Sequence, residues 1–374
     1  MSIRRAAVVA IFISAWGLQA SAFLQACPFC NVVEPAFAER RAESDVVVIA
    51  EATEEVDTTR KLRRYLIRQA LKGGGALGAT TNVQAADLVE SAGLALLLRR
   101  GEASWDVIPV DETSLAYFVR TPDAQLPAAE RLPYFTKFLE HPAPAIANDA
   151  FREYGRAPFD AVVAVAAAFP YESFRRLLVD PAVLDERKGF YGLALGLATD
   201  PAPRAANVAL LRKLVTAETT DFRAGFDGIL GGLLWAEGET ALDLIDARFL
   251  DNADAAEGDV RHVQRALRFY LQYGRAIPEA RLIRSVALLL ARPGTAAEAL
   301  ADLTRRKAWS YAEQAERLFL QSAGDDPALD RAAANYLLLS PQADAAAALR
   351  RLKQAAPERM QDALRRGAIL GVRE

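Results

Sequence analysis

The sequence predicts an α+β protein of two domains, in which a small β-rich head precedes a long α-helical tail. Short stretches rich in β-branched residues dominate the first third of the chain, as is typical of strands. Beyond a proline-containing break, the apolar residues recur at helical spacing up to the C-terminus. The predicted segments are a signal peptide at 1–22, the head at 23–121, a linker at 122–127 and the tail at 128–374.

An export signal occupies the N-terminus. Two arginines precede an apolar run at 6–18, which has the length of a signal-peptide core and is too short to span a membrane. Small residues at positions 20 and 22 predict cleavage between Ala22 and Phe23. An alternative stays open, because Leu-Gln-Ala before Cys27 resembles a lipobox and would make Cys27 a lipid anchor. The chain is therefore expected in the periplasm, in the medium or as a cell-envelope lipoprotein, without a transmembrane span.

The head is expected to form a small barrel or sandwich after a short helix at 31–42. Its strand candidates are short and closely spaced, as in all-β domains. In the last candidate Leu115, Tyr117 and Val119 alternate with other residues, as a half-buried strand requires. The candidates are Asp45–Ala52, Arg64–Leu71, Thr80–Ala85, Leu94–Leu98, Trp105–Val110 and Ser114–Arg120.

The tail is expected to stack helix pairs. Its clearest stripe contains Val260, Val263 and Leu267 on one helix face, and Gly274 ends that helix. Pro278 is placed to begin the next helix, and Pro293-Gly294 is expected to end it. Some 13 to 15 helices at about 35–40 residues per pair favour a solenoid, with a generic helical bundle as the alternative. Similar segments are Ala206–Ala217, Thr240–Leu250, Tyr311–Gln321, Asp330–Leu339 and Ala343–Gln354.

Charge and motif content argue against several classes of function. A net charge of −3 provides no basic footprint for nucleic acid. The sequence lacks the Gly-x-Ser-x-Gly and His-Glu-x-x-His motifs of common hydrolases, and its two histidines, His141 and His262, have no partner at metal-ligand spacing. We therefore expect a protein that is not an enzyme and that uses neither a metal nor another cofactor.

Cys27 and Cys30 are the only cysteines of the chain, in the order Cys-Pro-Phe-Cys. In an oxidising compartment this pair is expected to form a local disulfide, or Cys27 carries the lipid. The spacing also resembles the active site of glutaredoxin-like proteins, so thiol redox or metal chemistry is the alternative. Haem attachment is excluded because Asn31 stands where Cys-x-x-Cys-His requires histidine.

Gly73, Gly75 and Gly78 match the dinucleotide-binding fingerprint as a string. That fingerprint requires a helix to begin at the glycines and receive the pyrophosphate. Strand-like residues follow instead, so the glycines are interpreted as a hairpin loop.

The head resembles the netrin-like modules built on an OB barrel, which include the tissue inhibitors of metalloproteinases. The resemblance rests on the order of the cysteine pair, a short helix, the Asp45-Val-Val-Val-Ile-Ala strand and a second strand, Tyr65 to Gly73, that ends in Leu-Lys-Gly. That family begins with Cys-x-Cys, whereas this chain has Cys-x-x-Cys. The resemblance implies protease inhibition through Cys27 as a further alternative function.

The tail is similar to HEAT-like helix pairs of exported bacterial proteins. The similarity is carried by Pro133-Tyr-Phe-Thr-Lys-Phe-Leu-Glu140 and by Ile146-Ala-Asn-Asp-Ala-Phe-Arg-Glu153. It implies scaffolding or protein binding. The leading hypothesis is therefore a non-enzymatic, exported binding or scaffold protein with a protein partner.

Overall fold

The computed structural model describes residues 34–88, 93–218 and 222–369, with the side chains of the last helix as far as Arg365. It confirms the α+β class, since a five-stranded antiparallel sheet near the N-terminus is followed by a long series of helices. No helix among these residues is both long and apolar enough to cross a membrane.

The head begins with one helix, continues as the sheet and ends with a second helix. The five observed strands coincide with the first five predicted ones. Its elements are α1 (Phe37–Glu43), β1 (Val46–Asp57), β2 (Leu62–Lys72), β3 (Asn82–Ala86), β4 (Leu94–Arg99), β5 (Asp106–Val110) and α2 (Glu112–Arg120).

The sheet has the strand order β3-β2-β1-β4-β5 and is open, so the expected closed barrel is wrong. The Cα atoms of the end strands β3 and β5 approach within 8 Å, but no pairing between them is present in the described part of the chain. Pro109 lies in β5 opposite Ala95 and removes a backbone donor from that strand. Proline within a sheet is confined to edges and bulges, which agrees with β5 remaining an edge strand.

The segment Ser114–Arg120 was expected to be a strand and is instead helix α2. Asp111 caps this helix, because its carboxylate accepts the N–H of Ser114 at 2.7 Å while the Ser114 hydroxyl accepts the N–H of Asp111 at 2.9 Å. A capping box of this kind satisfies two backbone donors at a helix start. The helix buries Tyr117 and Phe118, which are adjacent in sequence and would lie on opposite faces of a strand.

Fifteen α-helices follow α2 within the described residues, interrupted by short 3-10 turns and by one π-helical segment, Asp246–Leu250. The preceding helix ends before Pro293-Gly294, as expected, and Pro293 also begins the next helix at its first position. The helices are α3 (Ala128–Thr136), α4 (Pro144–Arg156), α5 (Phe159–Val165), α6 (Tyr171–Val179), α7 (Asp185–Gly196), α8 (Pro201–Thr216), α9 (Phe226–Glu237), α10 (Glu239–Ile245), α11 (Glu257–Tyr273), α12 (Glu279–Leu288), α13 (Pro293–Arg305), α14 (Ala312–Ser322), α15 (Pro327–Leu339), α16 (Ala343–Ala355) and α17 (Pro357–Ile369).

Alternate helices of the tail contact one another. Helices α7, α9, α11, α13, α15 and α17 form one such succession, in which each contacts the next. Other alternate helices also contact each other: α6 contacts α8, and α14 contacts α16. Each helix also contacts its sequence neighbour at most positions, so the apolar stripes predicted from the sequence are covered by adjacent helices.

Helices α7 and α9 approach with their backbones almost in contact. A Cβ atom placed on Gly196 would lie 2.1 Å from the carbonyl oxygen of Gly232, and one on Gly228 would lie 1.9 Å from that of Gly189. These distances are far below van der Waals contact. Glycine is therefore required along this crossing by the close approach of the two helices.

One hydrophobic core extends from the head into the tail. Phe37 of α1 and the sheet residues Val47 and Leu96 belong to the same buried cluster as the apolar residues of the helices. Alternate residues of the same strands, such as Val48 and Leu97, belong to a smaller cluster on the opposite sheet face. Side chains alternate between the two faces along each strand. One face of the sheet therefore packs in the core shared with the tail, and the other packs only within the head.

Asp149 on α4 joins the head to the tail through polar contacts. Its carboxylate accepts the N–H of Phe37 at 2.7 Å and the hydroxyl of Tyr117 at 2.8 Å. Asp149 is 2% exposed, and Arg156 forms an ion pair with Glu39 at 2.6 Å beside it. A buried carboxylate with two donors holds both head helices on α4, because leaving either donor unpaired in the interior would be costly.

Candidate functional site

The predicted N-terminal site residues lie outside the described part of the chain. These are the cleavage position between Ala22 and Phe23 and the cysteine pair Cys27 and Cys30. The disulfide, the lipid anchor and the thiol or metal alternative therefore stay predictions.

The glycine string forms the loop that was expected. Gly73 follows β2 with a φ of +66°, a left-handed conformation that favours glycine, and a 3-10 turn at Gly74–Leu77 precedes β3. Strands β2 and β3 pair in antiparallel orientation. The loop therefore lacks the β-α-β arrangement of a dinucleotide site.

The two histidines lie far apart in the tail and have different partners. His141 accepts the N–H of Ala143 at 3.1 Å just before α4. His262 is half-buried between Phe222 and Phe226, with its Nδ1 atom 3.6 Å from the carboxylate of Asp227. The side chain of His262 is only 12% exposed.

A cleft of about 740 Å³ opens beside this region, where the end of α8, the start of α9, the π-helical segment and the start of α11 meet. The cleft combines charged, polar and apolar groups. Its lining residues are Glu218, Arg223, Arg248, Phe249, Asn252, Asp254, Ala255, Ala256 and Asp259.

Two arginines converge at one end of this cleft. Arg223 donates to the carbonyl oxygen of Ala217 at 2.8 Å, and Arg248 donates to the same oxygen at 3.2 Å. Arg223 also lies 3.5 Å from the carboxylate of Asp259, and its guanidinium carbon is 4.5 Å from the centroid of the Phe226 ring. The Ala217 carbonyl follows the last turn of α8, where the helix dipole is negative and attracts cations.

The π-helical segment positions Arg248 and Phe249. Its wider turn is marked by the hydrogen bond from the N–H of Asp251 to the carbonyl of Asp246 at 2.8 Å, five residues apart. Such a turn inserts a residue into the helix and changes the direction of the side chains that follow, which is why π segments are frequent at functional sites. Arg248 and Phe249 both line the cleft as a result.

Arg292 holds the loop that follows the π-helical segment and contributes Asn252, Asp254 and Ala255 to the lining of the cleft. This guanidinium donates to the carbonyl oxygens of Phe249 at 3.2 Å, Ala253 at 3.3 Å and Ala255 at 3.4 Å, and also to that of Asn252. The loop leads into α11, whose N-cap residue, Ala256, provides no side-chain cap. A rigid loop and an uncapped helix start therefore face the cleft.

The electrostatics of the cleft depend on burial. Burial lowers the pKa of Arg223, Asp259 opposes this effect, and the neighbouring charge of Arg248 lowers the pKa further. Burial raises the pKa of Asp227, which lies beside His262. His262 and Arg265 outweigh this effect and hold the pKa of Asp227 below its usual value. The site thus combines fixed charges of both signs in a partly buried setting, which suits the binding of a charged ligand.

No group of three or more histidine, cysteine, aspartate or glutamate side chains able to hold a metal ion is found where the structure describes the chain.

No sequence motif marks the arginines of the cleft. Glu218 and Arg223 lie between α8 and α9, Arg248 lies in the π-helical segment and Asp259 lies on α11, and no local pattern marks them. Only the stacking of the helices brings these residues together. To predict the cleft from the sequence, one would need to know which helices pack against each other and in which register.

Comparison of the chain with protein-family models and with curated proteins finds no match to either.

Proposed function

We propose that this protein is a non-enzymatic, exported binding or scaffold protein whose tail is a HEAT-like array of helix pairs. The observation that carries the proposal is the spacing of polar contacts between successive helix pairs. Arg268 contacts Asp302 across 34 residues, Arg351 contacts Glu316 across 35 residues, and Arg281 contacts Asp243 across 38 residues. These separations match the predicted length of about 35–40 residues for a helix pair.

Regular spacing of this kind supports an array in which each pair contacts mainly its neighbours. Such arrays present extended surfaces on which partner proteins dock. The cleft beside α11 is lined by charged groups. We expect a partner to bind there.

A photo-crosslinking amino acid in place of Ala256, at the rim of the cleft, tests this proposal in the exported protein. We expect illumination of producing cells to yield a defined covalent adduct. The matched control carries the same substitution at Ala343, an exposed residue at the start of α16 that does not line the cleft. Adducts of equal pattern at both positions, or none at the cleft, would contradict binding there.

Export and anchoring are tested by the intact mass of the protein recovered from its compartment. Cleavage after Ala22, lipidation of Cys27 and a bond between the two sulfurs each give a distinct mass. A reduction potential of the cysteine pair well below about −300 mV would mark it as structural and would argue against the thiol redox alternative.

A further inference from the structure

Among the described residues, the arginines of the cleft have guanidinium donors without a hydrogen-bond partner. A guanidinium carries five N–H donors. Arg248 uses one toward Ala217, and Arg223 bonds to the carbonyls of Ala217 and Leu214, the second at a long 3.5 Å. Planar guanidinium groups bind carboxylates through pairs of such donors.

The start of α11 adds to the preference for an anion. Ala255 and Ala256 line the cleft directly before the first helical residue, Glu257. Because Ala256 offers no side-chain cap, the first N–H groups of this 17-residue helix depend on other acceptors. Their partial positive charge favours a negatively charged ligand group at this end of the cleft.

The acidic residues of the lining argue against a multiply charged anion. Glu218 and Asp254 line the cleft, are exposed and form no ion pair with any described residue, whereas Asp259 lies beside Arg223. Among the described lining residues, three carboxylates therefore face two guanidinium groups. A phosphate dianion would be repelled by this balance, while a ligand that carries one carboxylate and one cationic group would satisfy both signs of charge.

The dimensions and the remaining walls fit a ligand larger than a single amino acid. The volume of about 740 Å³ lies within the range of drug-sized ligand sites. Phe249, Ala255 and Ala256 supply apolar surface between the charged ends.

We infer that the cleft binds a short peptide end that bears a free α-carboxylate and a basic side chain. The carboxylate is held by Arg223 and Arg248 near the start of α11, and the basic group lies against Glu218 and Asp254. This inference rests on the proposed binding function and specifies its ligand.

Binding is measured by isothermal titration of the full mature protein with the tripeptide acetyl-Ala-Ala-Lys. We expect the form with a free C-terminal carboxylate to bind at least tenfold more tightly than its C-terminal amide. Replacement of the peptide lysine by norleucine should also weaken binding, because it removes the cationic group. Free lysine is the second ligand, and its affinity relative to the peptide distinguishes an amino-acid site from a peptide site.

The substitution Arg248→Gln should abolish the preference for the carboxylate form. Arg284→Gln is the matched control, since Arg284 is exposed on α12 and, among the described residues, bonds only to its own helix at the carbonyl of Ala280. Failure of the wild-type protein to bind the carboxylate form, or equal affinity for acid and amide, would overturn the inference without a need for any variant. If crosslinking at Ala256 still succeeded in that case, the binding function would stand and only the ligand class would be wrong.

Discussion

Glu153 lies on α4 one turn beyond Asp149 and is almost completely buried. One of its carboxylate oxygens pairs with Arg131, while the other has no hydrogen-bond partner among the described residues. Burial raises the pKa of Glu153 to about 7, although Arg131 opposes the effect, and burial likewise raises the pKa of Asp149. Two carboxylates at the junction of head and tail therefore favour protonation.

This raised pKa predicts a dependence of stability on pH. In the unfolded chain Glu153 has its ordinary pKa of 4.5 and in the folded protein about 7, so the folded state binds the proton more tightly. The stability contributed by protonation is full below pH 4.5 and is lost as the pH rises through 7. We expect Glu153→Gln to reduce the difference in free energy of unfolding between pH 5 and pH 8 by about 2 kcal/mol.

Urea unfolding of the variant and of the wild type at both pH values measures this difference. Glu130→Gln is the control, because Glu130 is exposed on the neighbouring helix α3 and forms no ion pair with any described residue. An equal effect of the two substitutions on the pH dependence would show that Glu153 is not the responsible group.

At the scale of elements, the crossing of α7 and α9 depends on glycine. We expect Gly228→Ala to lower the free energy of unfolding by about 2–4 kcal/mol, because the added methyl group would collide with the backbone carbonyl of Gly189 and force the helices apart. The measurement is chemical denaturation followed by circular dichroism.

Gly258→Ala is the matched control for this prediction. Gly258 lies in the first turn of α11, and an added Cβ there meets no atom within 4 Å. Since alanine favours a helix more than glycine does, this variant should be neutral or more stable by up to about 1 kcal/mol. A loss of stability similar to that of Gly228→Ala would mean that the close helix crossing is not the cause.

Local signals in the sequence predicted most elements but misled at α2. The alternation of Leu115, Tyr117 and Val119 favoured a strand, whereas Asp111 and Ser114 form the capping box that begins a helix. A window of seven residues fits either period, so burial against α4 decided between them. The π-helical turn at Asp246–Leu250 has no comparable local signal, because it lies inside a segment of ordinary helical spacing.

At the scale of the whole molecule, substitutions on the two faces of the sheet are expected to have different effects. Leu96 and Leu97 are adjacent on β4 and completely buried, but Leu96 packs in the core shared with the helices and Leu97 in the cluster of the head. Each substitution by alanine should cost about 2–5 kcal/mol. We expect Leu96→Ala to speed amide hydrogen exchange in the sheet and in α2 to α4, and Leu97→Ala to speed it in the sheet alone.

Hydrogen exchange with mass spectrometry resolves these segments separately. If exchange in α4 responded equally to both substitutions, head and tail would unfold as one unit whichever face is damaged. If it responded to neither, the predicted boundary at 122–127 would separate two independent domains.

The sequence by itself determined the α+β class, the five strands and most of the helices of the tail. These follow from periodicity and from glycine and proline punctuation, which act within a few residues and need no distant partner. It also predicts an export signal and contains the cysteine pair and the glycine loop, which are local patterns of the same kind.

Only the tertiary structure decided that the sheet remains open, that one face of it joins the core of the tail, and that Arg223 and Arg248 meet beside α11. These features depend on contacts between residues far apart in the chain. Their free energies are set by burial and by the register in which helices stack, and neither quantity is written in any short stretch of sequence.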